Sequence, residues 1–258
     1  MKLFDKILKA YTYTVLALIY LPIVILIIFS FNESRSKVVF TGFTLENYYS
    51  LIGNYRVWDS FYNSIWTGAV VTVVSVVLAI LMAYGVSRYE FSGKTLIDSI
   101  MLIPIIIPEI VEALTLLVFL VIIGIELSPY TVIIGHVAFD ISFAYVVVKA
   151  RMAGYDPQFE EAARTLGADE IRAFTKVTLP ILAPGIAAAA LIAFLESYDD
   201  FIKTFFTRPP GFMTLPVYIW NMASRRGFPL DLNALATFVV AISLIFAYIR
   251  NRIERRVY

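Results

Sequence analysis

The sequence has 258 residues, 60% of them hydrophobic and only 16% charged, with a formal net charge of +1. Soluble domains are typically about 45–50% apolar and about 25% charged, so this composition indicates an integral membrane protein, with no bulk charge that favours nucleic acid. The absence of cysteine excludes disulfides and thiolate chemistry, and a single histidine disfavours a histidine-based metal site, so we expect no metal centre.

Six apolar runs predict an all-α integral membrane protein with six transmembrane helices in a single domain. A hydrocarbon core of about 30 Å needs about 20 residues at about 1.5 Å of helical rise each. The predicted spans cover residues 11–31, 65–86, 97–125, 131–148, 181–206 and 234–249. The first run is too long for a signal-peptide core and lacks a small-residue cleavage site, so we expect it to stay as an anchor.

The distribution of basic residues predicts how these spans are oriented. Six spans place both termini on the same side of the membrane. With the N-terminus inside, 14 of the 21 Lys and Arg residues fall inside and 7 fall outside. Cytoplasmic loops carry an excess of basic residues, so an N-in and C-in topology is expected, with residues 150–180 in the cytoplasm and residues 201–233 outside.

Several acidic side chains lie in or beside the predicted spans. A charge at the centre of a spanning helix costs about 2.5–3.5 kcal/mol, so such a group normally faces a water-filled path or a partner. The acidic residues are Glu109, Glu112, Asp140, Glu196, Asp199 and Asp200. No Lys or Arg is expected mid-span to neutralise them, and Lys203 is expected beyond the cluster, so a cationic cargo is predicted. The alternative is that some are helix caps or contacts with a partner subunit. His136 is expected to be a packing residue with satisfied nitrogens.

The stretch at 156–180 is charged and lies between strongly apolar runs. Asp156 followed by Pro157 is a favourable helix start. Gly167 can take the left-handed conformation that ends a helix, and Asp169 can cap a second one. The pattern therefore predicts a helix, a glycine turn and a second helix that lie beside the membrane rather than in it.

Motif spacing within this stretch resembles the EAA loop of ABC importer permeases. The matching residues are Glu161-Ala162-Ala163, Gly167 and Val177-Thr178-Leu179-Pro180. The resemblance implies a type I ABC importer core in spans 2 to 6 and a loop that docks on a cytoplasmic ATPase. The coupling residues that it implies are Glu160, Glu161, Ala162, Ala163, Leu166, Gly167, Ala168, Phe174, Leu179 and Pro180. An ordinary amphipathic helix pair at the surface is the alternative.

The chain is expected to bind no nucleotide and no other cofactor. Ser92-Gly93-Lys94-Thr95 is similar to the end of a phosphate-binding loop, but position 88, where that loop needs a glycine, is arginine. The chain is therefore not expected to be an enzyme. The EAA resemblance implies instead that partner ATPase subunits bind and hydrolyse ATP with Mg.

The fifth predicted span suggests where a cargo is recognised. Its apolar part, residues 181–195, extends only about 22 Å as a helix. The next five residues are then needed to complete the crossing, which places Asp199 and Asp200 near the outer mouth of a path. Tyr198 and Phe201 flank them, and aromatic faces attract ammonium groups, as carboxylates do.

Two interpretations of this pair of aspartates stay open. As an outer gate, Asp199 and Asp200 bind a cationic cargo together with Glu196, Glu109 and Glu112. Alternatively, the two aspartates cap the end of the fifth span or pair with a neighbouring basic residue, either Lys203 or Arg208.

A second resemblance, to the C-type permease subunits of spermidine/putrescine ABC importers, covers nearly the whole chain. Its clearest residues are Ser197-Tyr198-Asp199-Asp200-Phe201, Pro210-Gly211, Leu215-Pro216 and Asn233-Ala234-Leu235-Ala236-Thr237. The resemblance implies a polyamine cargo and a place in the lipid of a prokaryotic cytoplasmic (inner) membrane. It also implies a heterodimer with a second, homologous permease subunit, two cytoplasmic ATPase subunits, and an extracytoplasmic substrate-binding protein. ATPase closure would then drive alternating access.

Other functions of the same sequence differ in cargo or in energy source. An ABC permease for a metal ion or a thiamine-type solute shares much of this pattern. A stand-alone channel or secondary carrier would transport without ATPase subunits, and a membrane scaffold would have no path. The chain has no clear internal repeat, which weighs against carriers built from inverted repeats.

Overall fold

A computed structural model describes residues 2–34, 39–226 and 232–241 of the chain. In chain order, its helices are α1 (Lys2–Ser30), α2 (Glu46–Gly53), α3 (Tyr55–Arg88), α4 (Lys94–Ile100), α5 (Ile103–Ile106), α6 (Glu109–Ile122), α7 (Pro129–Met152), α8 (Gln158–Thr165), α9 (Glu170–Ala173), α10 (Leu179–Tyr198), α11 (Ile202–Thr207), α12 (Leu215–Arg226) and α13 (Leu232–Ala241). A π-helical turn at Phe174–Thr178 joins α9 to α10. No strand occurs in the described residues, apart from an isolated bridge between Asn32 and Phe43, so the predicted all-α class is confirmed.

The chain divides into two compact units. One contains Met1–Trp58 and Tyr218–Tyr258, and the other contains Asp59–Val217. The boundaries fall inside α3 and α12 rather than in loops. The single permease domain inferred from the sequence stays a prediction.

In the first unit, the end of α1 is fixed by polar side chains. The Ser30 hydroxyl lies 2.7 Å from that of Tyr48, and the Asn32 amide donates to the Val39 carbonyl at 3.0 Å. The Thr41 amide donates back to the Asn32 side chain at 2.9 Å. These bonds join the end of the helix to the segment that follows it. The Asn47 side-chain amide also donates to the Ser30 carbonyl at 2.9 Å, and so satisfies a backbone group that the end of the helix leaves free. Most side chains of α1 are exposed and apolar, as a lipid-facing anchor requires.

Helices long and apolar enough to cross a membrane account for most of the predicted spans. Four of them are unbroken: Phe4–Ser30, Tyr55–Arg88, Pro129–Met152 and Glu170–Tyr198. The sixth predicted span is represented only by α13, because residues 242–249 lie outside the described part of the chain. The described residues thus contain four candidate spans, or five with the bent pair treated next.

The predicted third span, 97–125, is not one helix. It consists of Lys94–Ile106 and Glu109–Ile122, which are bent by 110° relative to each other. Ile107, before Pro108, has the extended backbone of φ −75° and ψ 136° that a following proline favours. The proline therefore ends one helical segment and starts the next, and Glu109 is at the first position of α6.

The predicted fifth span, 181–206, also differs from the structure. The helix begins earlier, through α9 and the π-helical turn, and ends at Tyr198. Residues 199–201 interrupt it before the short helix α11. The five residues assigned to the end of this span therefore form the helix end and a bend, rather than continuous helix.

The core of the second unit lies where α7 packs against α10. Ala189 and Ala193 on α10 are fully buried, as is Tyr145 on α7. A Cβ built on Gly185 would lie 2.7 Å from the Cβ and Cγ of Arg151, so only glycine allows this approach of the two helices. Gly185, Ala189 and Ala193 thus allow close helix contact, which is the usual role of small residues between membrane helices.

Candidate functional site

The stretch 156–180, called the EAA segment from here on, has the predicted helix–turn–helix form. The amide of Gln158 donates to the Asp156 carboxylate at 2.9 Å, and the amide of Arg172 donates to Asp169 at 2.7 Å. Gly167 has a φ of +92°, which is the left-handed conformation predicted for it. The two aspartate side chains therefore mark the starts of the two helices, and the glycine forms the turn between them.

Glu160 is the buried anchor of this segment. Its side chain is 1% exposed, and it accepts hydrogen bonds from the Tyr84 hydroxyl at 2.7 Å and from the Thr178 hydroxyl at 3.2 Å. The Arg88 guanidinium lies 4.0 Å from the same carboxylate. Glu160 is one of the coupling residues that the resemblance implies, and its carboxylate is turned toward α3 rather than toward solvent. Its role in coupling stays a prediction.

The other predicted coupling residues are mostly accessible. Leu166 is 90% exposed, and Glu161, whose carboxylate lies 3.7 Å from the Arg88 guanidinium, is exposed too. Ala162, Gly167 and Pro180 are exposed, whereas Ala163, Ala168, Phe174 and Leu179 are half-buried. Ile171, which the motif does not include, is 75% exposed. Leu166 and Ile171 are thus accessible to a partner, as the predicted docking of this segment requires.

Contacts with the end of α3 tie the EAA segment to the membrane-spanning part of the second unit. The Phe174 ring packs edge-on against Tyr84 with centroids 4.7 Å apart. Tyr89 donates a hydrogen bond to Glu170, and this bond raises the pKa of the Tyr89 phenol. The sequence offered no signal for these partners, because Tyr84 lies 76 residues from Glu160.

A second group of side chains, the Lys203 cluster, consists of Lys203, Glu109, Asp140, Asp200 and His136. The Lys203 ammonium lies 3.4 Å from Glu109, 3.3 Å from Asp140 and 3.3 Å from Asp200. The side chains of Asp140 and Asp200 are fully buried, and that of Lys203 is 4% exposed. Lys203 was expected beyond the acidic residues; it lies inside them instead, so the argument from an uncompensated acidic interior is weakened.

His136 and Asp200 complete the inner side of the cluster. The two ring nitrogens of His136 lie 2.7 Å from the Ser197 hydroxyl and 2.9 Å from that of Thr204, so His136 is the satisfied packing histidine that the sequence predicted. The ring also lies 3.3 Å from Asp200, which accepts a 2.9 Å bond from the Thr204 amide. Asp200 thus accepts a bond from the first turn of α11 and pairs with Lys203. The pairing with Lys203 is part of the alternative interpretation of this residue.

The remaining predicted path residues do not share one place. Glu112 is buried, and its Oε1 atom has no hydrogen-bond partner among the described residues. Glu196 and Asp199 are exposed. Tyr198 stacks on Phe194 with ring centroids 5.7 Å apart, and Phe201 packs on Phe205 at 5.2 Å. The structure therefore brings Glu109 and Asp200 together and separates Asp199, which was predicted as the partner of Asp200 in a gate.

No group of three or more His, Cys, Asp or Glu suited to a metal ion occurs in the described ranges.

Similarity to known proteins extends over most of the chain. The profile of the family described as "Binding-protein-dependent transport system inner membrane component" matches residues 75–257. The spermidine/putrescine transport system permease protein PotC of Escherichia coli (strain K12) is 32% identical over 93% of this chain and 90% of its own length. The putrescine transport system permease protein PotI of the same strain is 28% identical over 92% of this chain and 88% of its own length.

Solved structures show the same fold. A chain of a bacterial ABC transporter involved in the import of the acidic polysaccharide alginate superposes with a TM-score of 0.74, at 16% identity, over 97% of this chain and 96% of that one. An amino acid ABC transporter crystallised with histidines gives a TM-score of 0.56 at 18% identity, over 82% of this chain and 96% of that one.

Proposed function

The chain belongs to the family of binding-protein-dependent transport system inner membrane components, and we propose that it is the permease subunit of an ATP-driven importer for polyamines. The observation that carries the polyamine cargo is the similarity to PotC and PotI over nearly the full length of each chain. A cluster of carboxylates within the membrane-spanning part suits a cargo made of ammonium groups.

We infer a six-helix permease with both termini in the cytoplasm. Support comes from four unbroken candidate spans, the bent pair as a fifth, and α13 at the start of a sixth. The 14-to-7 distribution of basic residues favours this orientation. It places the EAA segment on the cytoplasmic side, where an ATPase can reach Glu161, Leu166 and Ile171.

The complete importer that we propose gives this chain three kinds of protein partner and a lipid surrounding. A second, homologous permease subunit forms a heterodimer with it, two cytoplasmic ATPase subunits bind and hydrolyse ATP with Mg, and an extracytoplasmic binding protein delivers the cargo, all in a lipid membrane. A related fold belongs to an alginate ABC transporter solved in complex with a periplasmic protein that binds an alginate pentasaccharide, which supports the binding-protein contact. The chain itself binds no nucleotide and performs no hydrolysis.

A permease for a different solute is the second candidate, because Lys203 partly neutralises the carboxylates around it. The importer, reconstituted with its ATPase subunits and binding protein, is expected to accumulate radiolabelled putrescine or spermidine only when ATP is supplied. Unlabelled polyamine should compete, and thiamine or divalent metal ions should not. Uptake that persists without the ATPase subunits would identify a stand-alone carrier instead, and competition by another solute alone would identify that solute as the cargo.

Single cysteines in this cysteine-free chain test the topology. Ser92→Cys and Thr165→Cys are expected to react with a membrane-impermeant maleimide only after the membrane is opened, and Ser224→Cys is expected to react in intact cells. All three side chains are exposed, so access to the reagent depends on the side of the membrane. Reaction at position 165 but not at position 224 in intact cells contradicts the N-in and C-in orientation.

A further inference from the structure

The surroundings of Lys203 are those of a binding site for a primary ammonium group. An ammonium carries three N–H donors. Three carboxylates, those of Glu109, Asp140 and Asp200, lie within 3.4 Å of the Lys203 nitrogen. They come from α6, from α7 and from the bend before α11, so the tertiary fold assembles them around one cation.

The cluster also holds more acceptor capacity than Lys203 uses. The side chain of Asp140 is fully buried, yet its Oδ2 atom has no hydrogen-bond partner within the described residues. The Oε1 atom of Glu112, on the same helix as Glu109, is also buried and also lacks a hydrogen-bond partner within the described residues. Buried carboxylate oxygens without donors are costly, so they favour the entry of a further donor.

The site is open to the surface at Glu109, and Lys203 lies on a short helix that can shift. The Glu109 side chain is 44% exposed while it contacts the Lys203 ammonium, so one wall of the site reaches the surface. Glu109 begins α6 directly after the bend at Pro108. Lys203 is on the six-residue helix α11, with the bend at residues 199–201 before it and the extended Arg208 after it. A short helix between two interruptions can shift without unfolding a long span.

The occupant is chemically the same group as one end of a polyamine. The lysine side chain is an aminobutyl group, and putrescine and spermidine each carry a primary amine on a four-carbon chain. We propose that Glu109, Asp140 and Asp200 form a primary-ammonium site in the transport path, which Lys203 fills when cargo is absent and which a cargo ammonium takes over. The identification of the cargo rests on the proposed polyamine import; the ammonium site itself does not.

Chemical rescue tests the site in the assembled importer. Lys203→Ala keeps Cβ and removes the equivalent of n-propylamine. We expect saturating n-propylamine to raise the thermal unfolding midpoint of this variant by roughly 5 °C or more, as the return of a buried ion-pair partner requires, and to leave the unaltered importer within about 1 °C. Putrescine and spermidine should act in the same way. Propanol, which lacks the charge, and tetramethylammonium, which lacks the N–H donors, should not stabilise the variant.

Lys149→Ala is the matched control. Lys149 pairs with Asp98, but its side chain is 38% exposed, so little stability depends on this pair and amines should not rescue its loss.

If Lys203→Ala assembles too poorly to purify, the yield of assembled importer with and without n-propylamine is measured instead. A midpoint or a yield that no amine improves overturns the ammonium site. Rescue by n-propylamine but not by polyamines overturns the exchange with cargo. Rescue by polyamines in an importer that takes up no polyamine keeps the site and refutes only the proposed function.

Discussion

Asp200→Asn is expected to destabilise the importer strongly, whereas Asp199→Asn is expected to lower uptake and leave stability almost unchanged. Asp200 is fully buried, accepts a bond from the Thr204 amide, and lies 3.3 Å from both Lys203 and His136. Removing one charge of a buried pair typically costs about 3–5 kcal/mol. Glu109 and Asp140 still lie beside the Lys203 ammonium in this variant, so we expect the lower end of that range. Asp199 is exposed, so its substitution leaves no buried charge without a partner.

The measurement is the thermal unfolding midpoint of the assembled importer together with uptake of labelled putrescine. For Asp200→Asn we expect the midpoint to fall by about 10 °C, from a shift of roughly 2–4 °C per kcal/mol. For Asp199→Asn we expect a change of less than about 2 °C and a loss of uptake of roughly tenfold, the effect of one charge-assisted hydrogen bond to the cargo. Equal midpoints for the two variants would show that the buried carboxylate of Asp200 contributes no more to stability than the exposed one of Asp199.

Glu160→Ala is expected to separate ATP hydrolysis from transport without releasing the ATPase subunits. The substitution leaves the hydroxyls of Tyr84 and Thr178 without their buried acceptor and removes the one buried carboxylate link, among the contacts described above, between the EAA segment and the end of α3. Loss of such a buried acceptor costs about 1–3 kcal/mol of local stability, so the EAA segment should be held less firmly against α3 and uptake should fall. Hydrolysis should continue but should no longer rise when loaded binding protein is added.

Matched variants distinguish this anchoring role from direct docking. Glu161 is exposed, so Glu161→Lys is expected to weaken co-purification of the ATPase subunits, which Glu160→Ala should preserve. Tyr84→Phe should reproduce part of the Glu160→Ala effect, and the double variant should be no worse than Glu160→Ala alone, since both remove the same contact. Additive losses in the double variant, or normal stimulation in Glu160→Ala, would argue against a link through Tyr84.

The breaks in the third and fifth predicted spans show what hydropathy alone does not predict. Pro108 was visible within the third span, yet hydropathy treats 97–125 as one run, because an apolar side chain contributes equally on either side of a bend. Hydropathy likewise did not predict that α10 ends at Tyr198. The apolar length of the fifth span suggested five further helical residues, but residues 199–201 leave the helix and direct Asp200 inward.

Chain-local features of this protein follow from the sequence alone: the membrane class, the helix–turn–helix form of the EAA segment, the left-handed Gly167 and the family. Each depends on composition or on residues a few positions apart, which the sequence displays directly. The tertiary structure alone decided that Glu160 faces inward while Glu161 faces outward, and that Lys203 lies among the carboxylates. Those outcomes depend on contacts between residues 76 positions apart, for Tyr84 and Glu160, and 63 apart, for Asp140 and Lys203. A buried charge is stable only where the fold supplies its partner, and no local pattern specifies which distant residue that will be.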